Sequence, residues 1–240
     1  MKWSRSEINQ LLPILEQISF DLAPVDGKEI LVLCSGTGEV VFWLGEMMEQ
    51  GNVTGLELDP ESLAQARRSL HEMGLEQVAR FLPAEKDEIS LPDSSFDALV
   101  SEFIVYPTVA PTKISQSKMA RLLKPGGKLL LTDVIVTKPL PTAVCRELTA
   151  IGLDYLCDAT PKDFRRWMAE AGLVNIQVQD ITSTLRKVWQ DRYASDYTSS
   201  HEVGYNYLLD DPQTRLGKSI FYIYVRGEKP ATQLPEKLAG

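Results

Sequence analysis

Short apolar runs alternate along the chain with segments in which apolar residues recur every three or four positions. The run at 30–33 is wholly apolar, which is typical of a strand buried inside a parallel sheet. A turn with two glycines follows at 34–38, and apolar residues then dominate 40–48. Gly51 can close this helix because glycine tolerates the left-handed conformation. The pattern predicts a strand, a tight turn and a helix.

The same alternation repeats immediately downstream. A strand is predicted over 53–58, and Asp59, Pro60 and Glu61 then supply a cap residue, a first-turn proline and an early acid for a helix. Gly74 ends this helix, and its apolar residues recur at helical spacing, so that one stripe faces the sheet. The two units predict parallel strands joined by helices.

The rest of the chain extends this arrangement. Further strands are predicted at 78–82, 96–103, 128–136, 174–181 and 219–226, and further helices near 8–18, 113–123 and 161–171. Strands that alternate with helices favour a parallel sheet. We therefore predict an α/β fold with a doubly wound, mostly parallel, seven-stranded, Rossmann-like sheet.

The 240 residues fit one domain rather than two independent cores. Within it we expect an N-terminal cap at 1–28, a cofactor-binding core at 29–136 and a flexible tail at 228–240. The segments 137–159 and 182–218 are insertions after strands five and six and are longer than ordinary connections. We expect these two insertions to form an acceptor pocket.

Composition and charge narrow the functional classes. The chain has 25 Lys and Arg against 33 Asp and Glu, a net charge of −8 and no basic block, which disfavours nucleic-acid substrates. No run approaches the roughly 20 apolar residues that span a bilayer, so no membrane association is expected, and the polar N-terminus favours the cytoplasm. Three cysteines without C-x-x-C spacing argue against a disulfide framework and a structural zinc site, and no metal is expected. The oligomeric state is not indicated.

The turn at 34–38 and Glu57 together indicate a nucleoside-containing cofactor. A glycine turn between a buried strand and a helix exposes backbone N–H groups and allows a ligand to approach closely. Glu57 ends the next strand about 20 residues further on, where an acid can accept hydrogen bonds from both ribose hydroxyls. Val41 replaces the third glycine of the dinucleotide pattern, and no P-loop is present. These absences argue against a nicotinamide-dependent oxidoreductase and against phosphoryl transfer from ATP.

Several motifs between 29 and 136 occur in an order that is specific for one family. Besides the turn and Glu57, they are Leu-Pro-Asp-Ser-Ser-Phe-Asp at 91–97 and Leu-Leu-Lys-Pro-Gly-Gly at 122–127. In these residues the chain resembles the class I S-adenosylmethionine-dependent methyltransferases, in particular small-molecule enzymes similar to ubiquinone/menaquinone-biosynthesis and arsenite methyltransferases. The resemblance implies S-adenosyl-L-methionine as the cofactor and a small molecule as the methyl acceptor.

The resemblance also implies cofactor contacts residue by residue. The turn would wrap the methionine part of the cofactor, Glu57 would hold the ribose and Leu58 would flank the adenine. Glu85 would accept from the adenine amino group, and the Lys86 backbone would donate to the ring. With the two residues that would line the methionine side, the implied set is Cys34, Ser35, Gly36, Thr37, Gly38, Glu57, Leu58, Glu85, Lys86, Glu102 and Phe103.

The first strand and its turn depart from the family pattern. Members usually carry an acid two residues before the turn and a glycine at its start, where this chain has Val32 and Cys34. The β-carbon of Cys34 restricts the backbone there. Two alternatives follow: an active enzyme with an altered turn, or a non-catalytic regulator or subunit that binds S-adenosylmethionine.

Methyl transfer from a sulfonium needs in-line positioning of the acceptor and a general base only if the acceptor must lose a proton. The predicted catalytic residues near the carboxyl ends of strands four and five are Tyr106 and Asp133, and the second insertion adds His201. Each has a structural alternative: loop packing for Tyr106, a strand-end cap for Asp133 and a surface position for His201.

The acceptor is defined only as a class. No Asn/Asp-Pro-Pro-Tyr/Phe motif follows strand four, so the chain does not resemble enzymes that methylate adenine or glutamine amino groups. Trp189 and several tyrosines in the second insertion favour a partly aromatic or apolar acceptor. Arsenite would require three thiolates, and the spacing of Cys145 and Cys157 in the first insertion does not match that expectation.

Overall fold

The computed structural model describes residues 5–33, 35–85, 89–102, 116–136, 138–143, 145–146, 157–158, 160–184 and 220–231. The main helices are α1 (Arg5–Leu22), α2 (Glu39–Gly45), α3 (Pro60–Met73), α4 (Gln116–Leu122) and α5 (Pro161–Glu170). The strands are β1 (Glu29–Leu33), β2 (Asn52–Glu57), β3 (Ala79–Pro83), β4 (Phe96–Glu102), β5 (Leu123–Val136), β6 (Cys157–Asp158), β7 (Val174–Asp180) and β8 (Ile220–Glu228).

The strands form one mixed sheet in the order β3-β2-β1-β4-β5-β8-β7, and β6 pairs with β5. Strands β1 to β6 run parallel, whereas β8 is antiparallel to β5 and β7. The chain winds from β1 outward to β3 and then returns to place β4 on the other side of β1. This confirms the predicted doubly wound fold and puts its topological switch point between β1 and β4.

The predicted number of strands was wrong, because the described sheet has eight strands rather than seven. The additional strand is β6, which lies in the predicted insertion 137–159. It pairs through Ile135 with Cys157 and through Val136 with Asp158. Two residues are too few to produce a recognisable apolar pattern, so a strand of this length has no sequence signature.

Helices cover both faces of the sheet. Ile30 and Val32 of β1 pack into an apolar cluster with α1, α2 and α3, whereas Leu31 and Leu33 pack into a second cluster with α4 and α5. All four side chains are at most 3% exposed. Burial on both faces explains why β1 is apolar throughout instead of alternating.

The N-terminal helix is fixed to the amino-terminal edge of the sheet. The Asp21 carboxylate, buried near the end of α1, accepts from the Tyr224 hydroxyl at 2.8 Å and pairs with Arg226, both on β8. Lys128 donates to the Asp21 carbonyl oxygen and Lys28 to the Leu22 carbonyl oxygen, each at 2.5 Å. These cations satisfy carbonyl groups that a helix end leaves unpaired.

No helix in the described ranges combines the length and the apolarity that a membrane span requires. The longest of them, α1, contains Pro13 and charged residues.

Candidate functional site

The carboxyl ends of β1, β2 and β4 meet at the switch point. Leu33, the last residue of β1, is in register with Leu56 of β2 on one side and with Ser101 of β4 on the other. The turn after β1 begins at this level, where the Ser35 N–H donates to the Leu56 carbonyl oxygen at 3.0 Å. Ligands of doubly wound sheets bind in the crevice beyond such strand ends. The predicted glycine turn therefore lies at the carboxyl edge of the sheet, where ligands of this fold bind.

Gly38 closes this turn in a conformation that requires glycine. Its φ is +105°, and its N–H donates to the Ser35 carbonyl oxygen at 2.9 Å. A β-carbon at Gly38 would lie 2.6 Å from the Phe81 ring and 2.8 Å from the Phe42 ring. These rings pack edge to face, with centroids 5.6 Å apart. The turn thus rests on an aromatic pair that leaves no space for a side chain.

Glu57 joins the turn to the end of β2. It is 5% exposed, and its carboxylate accepts from the Gly36 N–H at 2.6 Å and from the N–H groups of Leu58 and Asp59 at 2.9 Å each. Three charge-assisted hydrogen bonds hold this carboxylate in place beside the half-buried Leu58. The sequence pattern predicted Glu57 at the site but not its bond to the turn, because that bond joins two separate strand ends.

The end of β3 lies beside Glu57. The Ala84 N–H donates to the Glu57 carbonyl oxygen at 2.8 Å, and the exposed Glu85 follows directly. Asp59 caps α3, where hydrogen bonds from the Ser62 hydroxyl and N–H hold the pKa of the Asp59 carboxyl below its ordinary value. The carboxyl edge at β2 and β3 therefore carries several acids.

Two buried hydroxyls flank the switch point, and neither has a hydrogen-bond partner within the described part of the chain. Ser35 begins the turn and is 8% exposed, and Ser101 lies one residue before the end of β4 and is fully buried. The Ser35 Oγ is 2.9 Å from the position that a β-carbon on Gly55 would take. Buried hydroxyls are almost always hydrogen-bonded, so two unpaired ones at a strand edge fit a site whose ligand supplies partners. Ser101 was not among the predicted site residues, although it directly precedes the predicted Glu102 and is the first polar residue after the apolar Ala-Leu-Val of β4.

Glu39, the first residue of α2, is a further buried acid near the turn and was not among the predicted site residues. It is 6% exposed, and the Thr37 hydroxyl lies 3.2 Å from each of its carboxylate oxygens. Buried carboxylates are costly unless hydrogen bonds or opposite charges compensate them. Its position was visible in the sequence, but an acid in a first helical turn ordinarily indicates no more than helix-end stabilisation.

Asp133 is the predicted catalytic residue that the structure describes. It is half-buried near the carboxyl end of β5, directly after Thr132, which is in register with Glu102 at the end of β4. Predicted site residues that lie outside the described residues are Cys34, Lys86, Phe103, Tyr106 and His201. Within the described ranges, no group of three His, Cys, Asp or Glu side chains is placed to hold a metal ion.

Comparison with known proteins adds family and structural relatives. A family model described as "Methyltransferase domain" matches residues 24–172. The ubiquinone biosynthesis O-methyltransferase of Xanthomonas axonopodis pv. citri is 30% identical over 213 residues, which cover 82% of this chain and 82% of that protein. The phosphatidylethanolamine N-methyltransferase of Cereibacter sphaeroides is 33% identical over 98 residues, or 41% of this chain. The matched part is 48% of that enzyme, so the chain spans about half of this relative's length.

Among solved structures, the phosphoethanolamine N-methyltransferase 2 of Haemonchus contortus superposes with a TM-score of 0.72 at 20% identity. The match covers 92% of this chain and 52% of that chain. That structure is a complex with phosphomonomethylethanolamine and S-adenosylhomocysteine. At this level of identity the superposition establishes the shared fold.

Proposed function

Because the chain belongs to the methyltransferase-domain family, as its motifs predicted, we propose that it transfers the methyl group of S-adenosylmethionine to a small-molecule acceptor. The observation that carries this proposal is the bond between Glu57 and Gly36, which fixes an acid and a glycine turn at the switch point. That is where an adenosine-containing ligand finds both a ribose acceptor and exposed backbone N–H groups.

The residues that we propose for the cofactor surround the switch point. Glu57 receives the ribose, Glu85 beyond β3 receives the adenine amino group, and the turn approaches the methionine part through its backbone. The unpaired hydroxyls of Ser35 and Ser101 support a polar ligand at this place. The same proposal includes the remaining predicted contacts, namely Cys34, Gly36, Thr37, Gly38, Leu58, Lys86, Glu102 and Phe103.

The hydrogen bonds already made by Glu57 limit what it offers to a ribose. A carboxylate has about four acceptor directions. The N–H groups of Gly36, Leu58 and Asp59 occupy three of them. We therefore propose that the Glu57 carboxylate accepts a full hydrogen bond from one ribose hydroxyl, rather than equally strong hydrogen bonds from both.

The altered first strand is compatible with cofactor binding. Val32 is fully buried in the apolar cluster, where it stabilises β1. Gly36 and Gly38 keep positive φ values of 53° and 105°, which preserve a turn that a ligand can approach closely. The methionine part then depends on the turn and its neighbours rather than on an acid in β1.

We propose that the insertions 137–159 and 182–218 form the acceptor pocket of this single domain. In support, β6 returns the first insertion to Ile135 and Val136 at the carboxyl end of β5. One relative is named as an O-methyltransferase of ubiquinone biosynthesis and another as a phosphatidylethanolamine N-methyltransferase. A partly aromatic or apolar small molecule is the acceptor class that we carry over to this chain.

When bound, S-adenosylmethionine supplies a methyl group on a positively charged sulfur that is ready for in-line transfer. The residues of this chain then have to orient the acceptor and, if it loses a proton, to receive that proton. Asp133 is the described candidate because it lies at the carboxyl end of β5. Tyr106 and His201 are further candidates for the same role.

Titration calorimetry on the purified protein tests the cofactor site. We expect S-adenosylmethionine and S-adenosylhomocysteine to bind with dissociation constants on the order of micromolar, or about −8 kcal/mol, and NADH not to bind. Glu57→Ala should weaken both sulfur ligands by about 1–3 kcal/mol through loss of a charged acceptor. It should also lower the melting temperature of the ligand-free protein, because three N–H groups lose their partner. Unchanged affinity in this variant would reject our placement of the ribose.

An acceptor screen with methyl-labelled S-adenosylmethionine separates an enzyme from a non-catalytic regulator. Phenolic or quinol precursors and ethanolamine-containing compounds provide the first set, and release of S-adenosylhomocysteine gives the readout. Label transfer to any of them supports the enzyme. Tight cofactor binding without turnover across this set would favour the regulator that the altered first strand left as an alternative.

We also propose that the protein works in the cytoplasm and does not bind nucleic acid. Cys145 is exposed and not disulfide-bonded, which is usual in a reducing compartment. The net charge of −8 opposes attraction to phosphate backbones.

A further inference from the structure

Glu39 is a buried acid near the glycine turn, and it is not among the residues proposed above to bind the cofactor. It follows Gly38 directly and is 6% exposed, and its carboxylate oxygens lie 3.2 Å from the Thr37 hydroxyl. The two residues belong to the same turn and helix start, so this hydrogen bond keeps the carboxylate beside the turn. The Glu39 side chain is therefore held at the carboxyl edge of β1.

The order of the strands determines which part of the cofactor reaches Glu39. Glu57 stands at the end of β2, and β3 with Glu85 lies beyond it, away from β1. A nucleoside held by these two acids lies over β2 and β3. Its remaining arm, which carries the amino acid, must then extend the other way, over the turn between β1 and β4.

That arm ends in an ammonium group and a carboxylate at neutral pH, and the ammonium needs a hydrogen-bond acceptor, preferably an anion. Val32 is apolar and fully buried, and Glu57 and Asp59 lie at the end of β2 and the start of α3, on the nucleoside side of the site. The structure places Glu39 at the turn itself. The buried hydroxyl of Ser35 in the same turn has no hydrogen-bond partner among the described residues. It independently indicates that a polar ligand group can bind at this turn.

We infer that the Glu39 carboxylate binds the ammonium group of S-adenosylmethionine and that Thr37 orients this carboxylate. The inference rests on the proposed cofactor site and adds a residue to it. It also explains how a chain with valine at position 32 holds the charged end of the cofactor. Glu39 is thereby a cofactor-binding residue, with no part in proton transfer.

Two ligands that differ only in this arm provide the test. S-Adenosylhomocysteine carries the amino acid, whereas 5′-methylthioadenosine keeps the nucleoside and the thioether without it. In calorimetric titrations, Glu39→Gln should weaken S-adenosylhomocysteine about ten- to a hundredfold, as expected for loss of a charged hydrogen bond. Its affinity for 5′-methylthioadenosine should stay within about twofold, because the lost bond is outside that ligand. Glu46→Gln, the same change at the exposed end of α2, should alter neither affinity.

The comparison also separates failure of this inference from failure of the cofactor site. Equal weakening of both ligands by Glu39→Gln, or no weakening of S-adenosylhomocysteine, would overturn the role of Glu39 while wild-type binding still supports the site. If the wild-type protein bound neither ligand, both proposals would fall. Should Glu39→Gln not fold, Glu39→Asp keeps the charge but shortens the side chain. It should still weaken S-adenosylhomocysteine selectively, and equal loss for both ligands would again refute the inference.

Discussion

The hydroxyl of Ser101 is a single polar group whose environment predicts an unusual mutational response. It is fully buried and finds no hydrogen-bond partner among the residues that the structure describes. Ser101→Ala removes a group that already lacks a partner, so the free energy of unfolding of the ligand-free protein should stay within about 1 kcal/mol of wild type or rise. S-Adenosylhomocysteine should bind more weakly by about 0.5–1.5 kcal/mol, if the ligand supplies the missing partner. Urea denaturation and calorimetry measure the two quantities.

Ser19→Ala is the matched control, because Ser19 is a buried hydroxyl with partners on both sides. It donates to the Leu15 carbonyl oxygen at 2.8 Å and accepts from the Trp43 indole N–H at 2.6 Å. Its removal leaves the indole N–H unpaired and should cost about 1–3 kcal/mol of stability without affecting the ligand. A destabilised Ser101→Ala with unchanged affinity would show instead that Ser101 has only a packing role.

For single residues, the sequence predicted which residues lie at the site better than it predicted the contacts that they make. The turn, its glycines and Glu57 were found because each follows a strand pattern at a characteristic distance. The three N–H groups on Glu57 could not be found, because the bond to Gly36 depends on how two strand ends align. Glu39 and Ser101 were missed for a related reason: burial, which makes each of them notable, is a property of the folded chain.

The attachment of α1 to β8 depends on one buried ion pair. Arg226 is 36% exposed and pairs with Asp21, whose side chain is 2% exposed. Among the described residues, Arg226→Met leaves the buried Asp21 carboxylate with two neutral partners, Tyr224 and Gln17. We expect a loss of about 3 kcal/mol in the free energy of unfolding, because a buried charge without its counter-charge is strongly destabilising. The measurement is equilibrium urea denaturation followed by circular dichroism.

Arg166→Met on α5 is the control for this change. Arg166 is 59% exposed and pairs with Asp163 and Glu170 on its own helix, so its loss should cost less than about 0.5 kcal/mol. The double variant Asp21→Leu/Arg226→Met should recover much of the stability that Arg226→Met loses, because neither charge is then left unpaired. Equal effects of Arg226→Met and Arg166→Met would contradict the anchoring role of the buried pair.

The ends of helices and strands were predicted correctly where the sequence carries local signals such as capping residues. The start of α3 was predicted from Asp59 and its end from Gly74, and both are the observed caps. By contrast, β5 begins at Leu123, earlier than the predicted 128, because Leu123 pairs with Phe96 across an irregular register. Pairing between strands, which no local pattern encodes, decided that boundary and the existence of β6.

Across the whole molecule, the two edges of the sheet have different tasks. The carboxyl edge holds a turn with two glycines at positive φ, two hydroxyls without a partner among the described residues, and the acids Glu39 and Glu57. The amino edge holds satisfied charge networks that tie α1 and the strand starts together. Lys28 illustrates this edge: burial and the nearby charge of Lys128 lower its pKa, while Asp97 opposes them. We therefore expect substitutions at the amino edge to change stability and pH dependence without changing cofactor affinity.

Asp97, at the amino edge, makes a contribution to stability that depends on pH. Burial alone would raise the pKa of its carboxyl, but hydrogen bonds from Lys124 and the Glu29 N–H, with the charges of Lys124 and Lys28, outweigh it. The net result is a pKa below the ordinary 3.8. A carboxyl with a lowered folded-state pKa contributes stability fully above its unfolded value, and this contribution is lost as pH falls through the folded value.

Asp97→Asn should therefore be less stable than wild type at pH 7, by about 1 kcal/mol for the weakened hydrogen bonds. The difference should shrink as pH falls below 3.8, because the wild-type carboxyl then takes up a proton and loses the same interactions. Urea denaturation between neutral and acid pH measures it. Lys124→Met removes the hydrogen-bond donor to Asp97, so it should likewise reduce the pH-dependent contribution of Asp97 to the free energy of unfolding. A difference that stays constant or grows in acid would contradict the assignment, and lost S-adenosylhomocysteine binding would contradict the separation of the two edges.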